Sequence, residues 1–445
     1  MNTPIADFVR GYEKKNMTRL HMPGHKGQAF VGCEAYDITE VAGADSLYEA
    51  DGIIAESEAN ATSLFGTAKT VYSTEGSSQC IRAMLYLAMM SRKSSAKPMV
   101  VATRNAHKSF LYAVAVLDLD VVWLWPEGDA HSLCSCPISA KTVEETLTGM
   151  DVAPIAVYVT SPDYLGGQLD VRGIAEVCHN FGTILVVDNA HGAYLHFLNP
   201  RQHPMDLGAD ICCDSAHKTL PVLTGGAYLH ISKTAPEVFV KQAKQAMALF
   251  GSTSPSYLTM MSLDLCNAYL AEEYGDILAQ TIEQVSELKA DLQKNGWQVI
   301  ETEPLKLTVR MPLGLTGVQM AEQLRKGYVE CEYADVEHVV CMFTPENLEK
   351  DFERVLHVFG ENQEPYEVIE KVQAKNCIRA ISIREAMFAK QEMVLAKDAL
   401  GCICGAPTVS CPPAIPIVVS GEVIDEEAVQ LFAYYGIGTV DIVKE

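Results

Sequence analysis

The chain has 445 residues, 48% of them hydrophobic and 20% charged, and a formal net charge of −23 at pH 7. This is the composition of a globular protein long enough for two or three domains, not of a disordered one. The acidic balance argues against nucleic acid and anionic membrane surfaces as partners, and no run of about 18 uncharged apolar residues is present to cross a bilayer.

The N-terminus, MNTPIADFVRGYEKKNMTRL, lacks a basic segment followed by an apolar one, so it does not read as a secretory signal and the expected compartment is the cytoplasm. Farther on, YSTEGSSQCIRAML (72–85) reads as a strand end, a turn at Glu75-Gly76-Ser77-Ser78 and an apolar helix. Strands follow at MVVAT (99–103), VVWLW (121–125), IAVYVT (155–160) and TILVVD (183–188), with a helix at 171–182. The runs are continuously apolar rather than alternating, which predicts a mostly parallel sheet covered on both faces. A further strand, ADICCD, leads into SAHKTLP and then Thr224-Gly225-Gly226. Beyond it the spacing predicts an amphipathic helix over 281–295, strands at 297–301 and 306–310, a helix at 317–326 and a strand at 339–343. A last region begins near Tyr366, with a helix over 382–400 and the proline-rich SCPPAIPIVVSGE. The fourteen cysteines sit in apolar settings and read as buried small hydrophobes. Cys402, Cys404 and Cys411 do not have the spacing of a zinc site, so no metal is expected.

Open parallel sheets bind ligands beyond the carboxyl ends of their strands, and four segments lie there. Gly76-Ser77-Ser78 before a helix suits a phosphate, or serves as a plain N-cap. His107 in RNAHKS is a capping residue or a ring that stacks on an aromatic ligand. Asp188 in VVDNAHGAYLHF is a turn cap, or a buried carboxylate that needs a cationic partner. Lys218 in DSAHKTLP is a loop lysine or a desolvated, nucleophilic amine. Their order, phosphate cup, stacking His, strand-end Asp and then Lys, is the one needed to hold pyridoxal 5′-phosphate (PLP).

HMPGHKG (21–27), DITE (37–40), RNAHKS, DNAHGA, SAHKTLPVLTGGAYLH and TSPSY (253–257) together resemble the Orn/Lys/Arg decarboxylase family; PPAIP (412–416) and Gly421-Glu422 are similar to its C-terminal signature. The resemblance implies an α/β, fold-type-I PLP enzyme related to aspartate aminotransferase. It implies a large, mostly parallel seven-stranded sheet domain, a small α/β domain and a C-terminal domain. The corresponding boundaries are an N-terminal arm at 1–45, the PLP-binding domain at 46–280, the small domain at 281–365 and the C-terminal domain at 366–445. It further implies decarboxylation of arginine, lysine or ornithine through a Schiff base on Lys218. In that reading Asp188 partners the ring nitrogen, His107 stacks on the ring, and His191 lies near the ring's phenolic oxygen or the substrate carboxylate. Gly76, Ser77, Ser78, Ser215 and His217 serve the phosphate, and Thr253 or Ser254 reaches the phosphate of a neighbouring subunit. A homodimer with shared active sites follows. The family pattern begins within the first twenty residues, so the N-terminal receiver-like domain of the large members is not expected, nor are the decamers built on it.

This chain departs from the family pattern at three places. Asn189 stands where the family has Glu, Ser161 to Gly166 replace a T-Y-Y-G-like loop, and Ser73-Thr74-Glu75 replace an Asn-Gly lead. These changes leave the cofactor in place and the substrate open. Glu332, Asp335, Glu337 and Glu385 are candidates to read a cationic head group, against a reading as exposed charges. Other outcomes on the same frame are transamination, elimination, or a silent paralogue that regulates polyamine metabolism.

Overall fold

The structure is a computed structural model and describes residues 1–91, 96–128, 132–366, 377–407 and 415–444. The chain forms two compact units: Met1–Ser94, Ile155–Ser161 and Val171–Leu278 make the first, and Ser95–Pro154, Pro162–Asp170 and Ala279–Glu445 the second.

Seven strands form a mixed, mostly parallel sheet: β1 (Lys69–Ser73), β2 (Met99–Thr103), β3 (Asp120–Leu124), β4 (Ala156–Thr160), β5 (Ile184–Asp188), β6 (Ile211–Asp214) and β7 (Ala227–Ile231). Five of them belong to the first unit, in the order β1-β7-β6-β5-β4. β4, β5 and β6 run parallel, and β7 is antiparallel to both β6 and β1. Val186, Val187, Cys212 and Cys213 are fully buried. An all-apolar strand cannot hide both faces in a one-sided sheet, which is why these runs fold as central, doubly covered strands. The register sets Asp188 opposite Thr160 on one side and Cys213 on the other. The carboxyl ends of β4, β5 and β6 thereby form one rim.

In the second unit β2 and β3 pair in parallel. Four short strands, β8 (Gln298–Ile300), β9 (Lys306–Arg310), β10 (Tyr333–Ala334) and β11 (His338–Met342), form an antiparallel sheet in the order β10-β11-β9-β8. The helices Gly317–Lys326 and Glu349–Phe359 pack on it through Met320, Leu324, Phe352 and Val355. The predicted helix over 281–295 corresponds to the later part of a longer one, Tyr274–Lys294.

The predicted helix over 382–400 is not formed. A helix occupies only Ile383–Phe388, capped by Ser382 and Glu385, and the chain then extends as β12 (Gln391–Leu395). β12 pairs antiparallel with β13 (Thr439–Val443), about fifty residues later. The local sequence favours a helix, but a non-local strand pairing outweighs local propensity. Cys402 and Cys404 are free thiols, and Cys411 lies outside the described residues, as does most of PPAIP. Among the described residues no helix is long and apolar enough to cross a membrane.

Candidate active site

The phosphate-side residues gather around the start of the helix Ser77–Met90. Its N-cap is Gly76, at φ +71°, with no side chain to cap the first turn. Gly76 is thus the N-cap of the Gly76-Ser77-Ser78 stretch, and Ser77 and Ser78 sit inside the first turn. The lead-in turn is held locally, with Ser73 Oγ accepting from Glu75 N–H at 3.0 Å and lying 2.6 Å from Gln79 Oε1. Gly76 N–H donates to Gly225 O at 2.7 Å. Gly225 sits at φ +94°, and a Cβ there would come within 2.6 Å of Thr74 O, so this approach requires glycine. Ser215 Oγ donates to Ser77 Oγ at 2.8 Å, and the His217 ring is held by Gly226 O, 3.0 Å from Nδ1. Gly76, Ser77, Ser215 and His217 are thus brought to one helix N-terminus, where backbone N–H groups and the helix dipole favour an anion.

The second cluster lies on the rim. Asp188 ends β5 and is buried. Its Oδ2 accepts from Tyr158 OH at 2.9 Å and its Oδ1 from Ala190 N–H at 3.2 Å. Burial pushes this carboxyl above its ordinary range, and the charge of Lys218 is the leading influence in the other direction. Lys218 follows β6 in the short helix Ala216–Thr219, with its Nζ 3.1 Å from Nε2 of buried His191. A carboxylate, an amine and an imidazole from two adjacent loops therefore act on one another.

Two expected residues are placed differently. His107 belongs to the second unit and N-caps the helix Lys108–Leu117, its Nδ1 accepting from Ser109 N–H at 3.1 Å. Its capping role is thus formed, while its stacking role stays an expectation. Thr253 is exposed, in a loop whose neighbour Ser252 donates its N–H to Glu75 just before the phosphate cup.

The four acidic candidates fall in the second unit. Glu332 and Glu385 are exposed, and Glu385 closes the capping box of its helix. Asp335 and Glu337 are buried rather than exposed. Asp335 is used within its own turn, accepting from the Glu337 and His338 N–H groups and from Tyr333 OH.

Sequence reasoning missed two supports. Tyr158 lies inside an apolar strand, and only the β4–β5 register reveals that its hydroxyl reaches Asp188. Asp214 passes for a strand-end charge, yet it is wholly buried and accepts from His203, His230 and Asn189. The alternation of Tyr228 and His230 along β7 was the available signal for the His230 contact.

The family description "Orn/Lys/Arg decarboxylase, major domain" matches residues 3–311. An arginine decarboxylase of Bacillus subtilis (strain 168) is 27% identical over 96% of this chain and 92% of its own length. Lysine decarboxylase A from Pseudomonas aeruginosa superposes with a TM-score of 0.82 at 16% identity, covering 99% of this chain and 80% of that one. L-threonine transaldolase from Pseudomonas fluorescens, solved in its internal aldimine state, gives a TM-score of 0.56 at 16% identity, over 69% of this chain and 71% of that one. The match of a family description to two-thirds of the sequence, over the stretch that holds both clusters, makes this chain a member of the Orn/Lys/Arg decarboxylase family of enzymes.

Proposed function

We propose that this chain is a PLP-dependent decarboxylase of a basic amino acid, working as a cytoplasmic homodimer. The observation that carries the reading is the contact of Lys218 with His191 at 3.1 Å, beside a buried carboxylate on which Lys218 acts. Relatives bearing the names arginine decarboxylase and lysine decarboxylase support a basic substrate.

The residues present fit the cofactor. A phosphate dianion suits the helix start at Gly76-Ser77-Ser78, with Ser215 and His217 beside it. Asp188 is a carboxylate that burial disfavours, so a protonated ring nitrogen would restore the charge balance it lacks. Next to Lys218, the buried Thr219 Oγ1 has no hydrogen-bond partner among the described residues. Such a group costs free energy unless a ligand or water uses it.

When bound, PLP supplies an electron sink for the pair left behind as the substrate carboxylate departs as CO₂. The chain's own residues do the rest. Lys218 provides the amine that anchors the cofactor. Asp188 would hold a proton on the ring nitrogen, and Tyr158 fixes the orientation of Asp188. His191 can exchange a proton with Lys218 Nζ, and either group can return one to the substrate Cα. His107 would stack on the ring, and Thr253 would serve the partner subunit's phosphate. The product of arginine is agmatine and that of lysine or ornithine a diamine, which assigns the enzyme to polyamine supply.

The test is a panel of arginine, lysine and ornithine on purified PLP-loaded protein. One of them should release CO₂ and the matching amine in equal amounts. Formation of an oxo acid, or of no product from any of the three, overturns the reading.

A further inference from the structure

Under the two loops that carry the candidate site lies a buried polar cluster. Asp214, the last residue of β6, is fully buried and immediately precedes Ser215. Its Oδ2 lies 3.0 Å from His203 Nε2 and 3.0 Å from His230 Nε2. Its Oδ1 accepts from Asn189 Nδ2 at 2.7 Å. The His230 ring is held on its other side by Thr70 Oγ1, 2.9 Å from Nδ1. His203 Nδ1 accepts the Met205 N–H at 3.3 Å, so the ring proton sits on Nε2 and points at Asp214. The three groups could in outline hold a metal ion. A metal on His203 Nε2, however, would require that proton to be gone, so the hydrogen bonds account for the arrangement.

Asn189 is the one member of this cluster that belongs to the other loop. It lies between Asp188 and His191, is fully buried, and its backbone N–H donates to Cys213 O at 3.0 Å. The turn closes tightly around it, because a Cβ on Gly192 would come within 2.1 Å of Asn189 Oδ1. That oxygen has no partner among the described residues. A buried acceptor left unpaired is costly, so the amide is there for its donor end. Turning the amide over would set its oxygen against the Asp214 carboxylate.

We propose that the Asn189–Asp214 hydrogen bond is a positioning link: it holds the loop of Asp188 and His191 in register with the loop of Ser215 and Lys218. His203 and His230 keep Asp214 the acceptor in that link. Burial alone would raise the Asp214 carboxyl, but the two imidazoles outweigh it and hold the group far below the usual range. Asn189 touches neither substrate nor cofactor in this assignment; it acts through Asp188, His191 and Lys218. The proposal rests on Lys218 being the cofactor anchor.

The geometry allows a reciprocal test. In Asn189→Asp two carboxylates meet at a hydrogen-bond distance. In Asn189→Asp/Asp214→Asn the roles exchange: an amide at 214 can accept from both histidines through its oxygen and donate to a carboxylate at 189. Asn189→Ala removes the donor without adding charge. Each variant is loaded with PLP, and three readouts are taken: melting temperature, PLP dissociation constant, and the pH midpoint of the visible absorbance of the loaded protein. Asn189→Asp should weaken PLP binding about ten-fold or more and move the pH midpoint by about one unit, with Asn189→Ala intermediate. The double exchange should bring both values back toward wild type. A merely structural role would lower the melting temperature of the variants and leave the pH midpoint alone, which overturns the proposal. It is equally overturned if the double exchange is no better than Asn189→Asp, or, should either fail to fold, if Asn189→Ala matches wild type in both PLP readouts. Wild-type protein that takes up no PLP would instead overturn the anchor reading itself.

Discussion

Each unit of the molecule contains a lysine withdrawn from water, and the two are used in opposite ways. Lys306 in the second unit is fully buried. Its Nζ donates to Asp163 O at 3.3 Å and Tyr164 O at 3.4 Å and faces Glu303 at 3.8 Å. Burial holds its affinity for a proton below the ordinary value, with Glu303 and Asp163 acting in the other direction. Around it the 163–166 loop is locked: Glu303 N–H donates to Gly166 O at 2.8 Å, and Thr308 Oγ1 to Leu165 O at 2.7 Å. Lys218 in the first unit is half-buried and faces an imidazole, a group that can itself take up or release a proton. Lys306 is tied by fixed carbonyls and carboxylates, whereas Lys218 acts on the Asp188 carboxylate and also has a proton-exchanging imidazole within hydrogen-bond distance. The two lysines differ in burial and also in the partners they face.

The sharpest way to break this contrast is to remove each lysine. Lys218→Ala should cost on the order of a thousand-fold or more in decarboxylation rate. Its unfolding free energy should stay within about 1 kcal/mol of wild type. Borohydride should fix PLP covalently to wild-type protein and not to the variant. Lys306→Met should behave in the reverse manner. It leaves Glu303 and Asp163 in the interior without their counter-charge, which costs about 3–5 kcal/mol when a buried ion pair loses one partner. Urea unfolding measures the loss, and borohydride labelling of whatever remains folded should still fall on Lys218. A variant at 306 that unfolds like wild type would remove the distinction.

The same contrast explains what the sequence disclosed. Asp188 and Lys218 were legible because one ends an apolar strand and the other follows the next, so chain order alone puts them at one rim. The lysine tie at 306 was not, since KLTVR reads as an ordinary strand and its partners at 163–166 lie some 140 residues away. Asp335 passed for a surface charge for a related reason: the turn that buries it depends on β10 folding back on β11. Asn189 stood out as a departure from the family pattern, but its use became visible only when β5 and β6 were set side by side. In each case the missing information was a contact between segments distant in sequence, as it was for β12. Within the first unit such contacts also gather the phosphate-side residues around the N-cap Gly76.

Two carboxylates sharpen the contrast on a smaller scale, with opposite signs of pH dependence. Asp45 is buried, and although desolvation works against its charge, it accepts backbone N–H groups from Asp51, Gly52 and Ile54 at the start of the helix Ile53–Leu64. Those bonds hold its carboxyl below the ordinary range. A depressed carboxylate contributes stability above its ordinary pKa, and loses it as pH falls through the folded value. Asp188 is raised, chiefly by burial, so its contribution is favourable only in acid and is lost as pH rises through the folded value. Asp45→Asn should therefore destabilise the PLP-free protein by about 1 kcal/mol at neutral pH, with the difference fading toward pH 3. Asp188→Asn should leave the PLP-free protein at least as stable as wild type at neutral pH, the usual exchange of stability for a strained functional group. Melting curves from pH 3 to 8 read both effects. Loss of stability in Asp188→Asn of the same sign and pH dependence as in Asp45→Asn would mean that Asp188 is satisfied within the chain. A cationic partner would then have no electrostatic reason to be there.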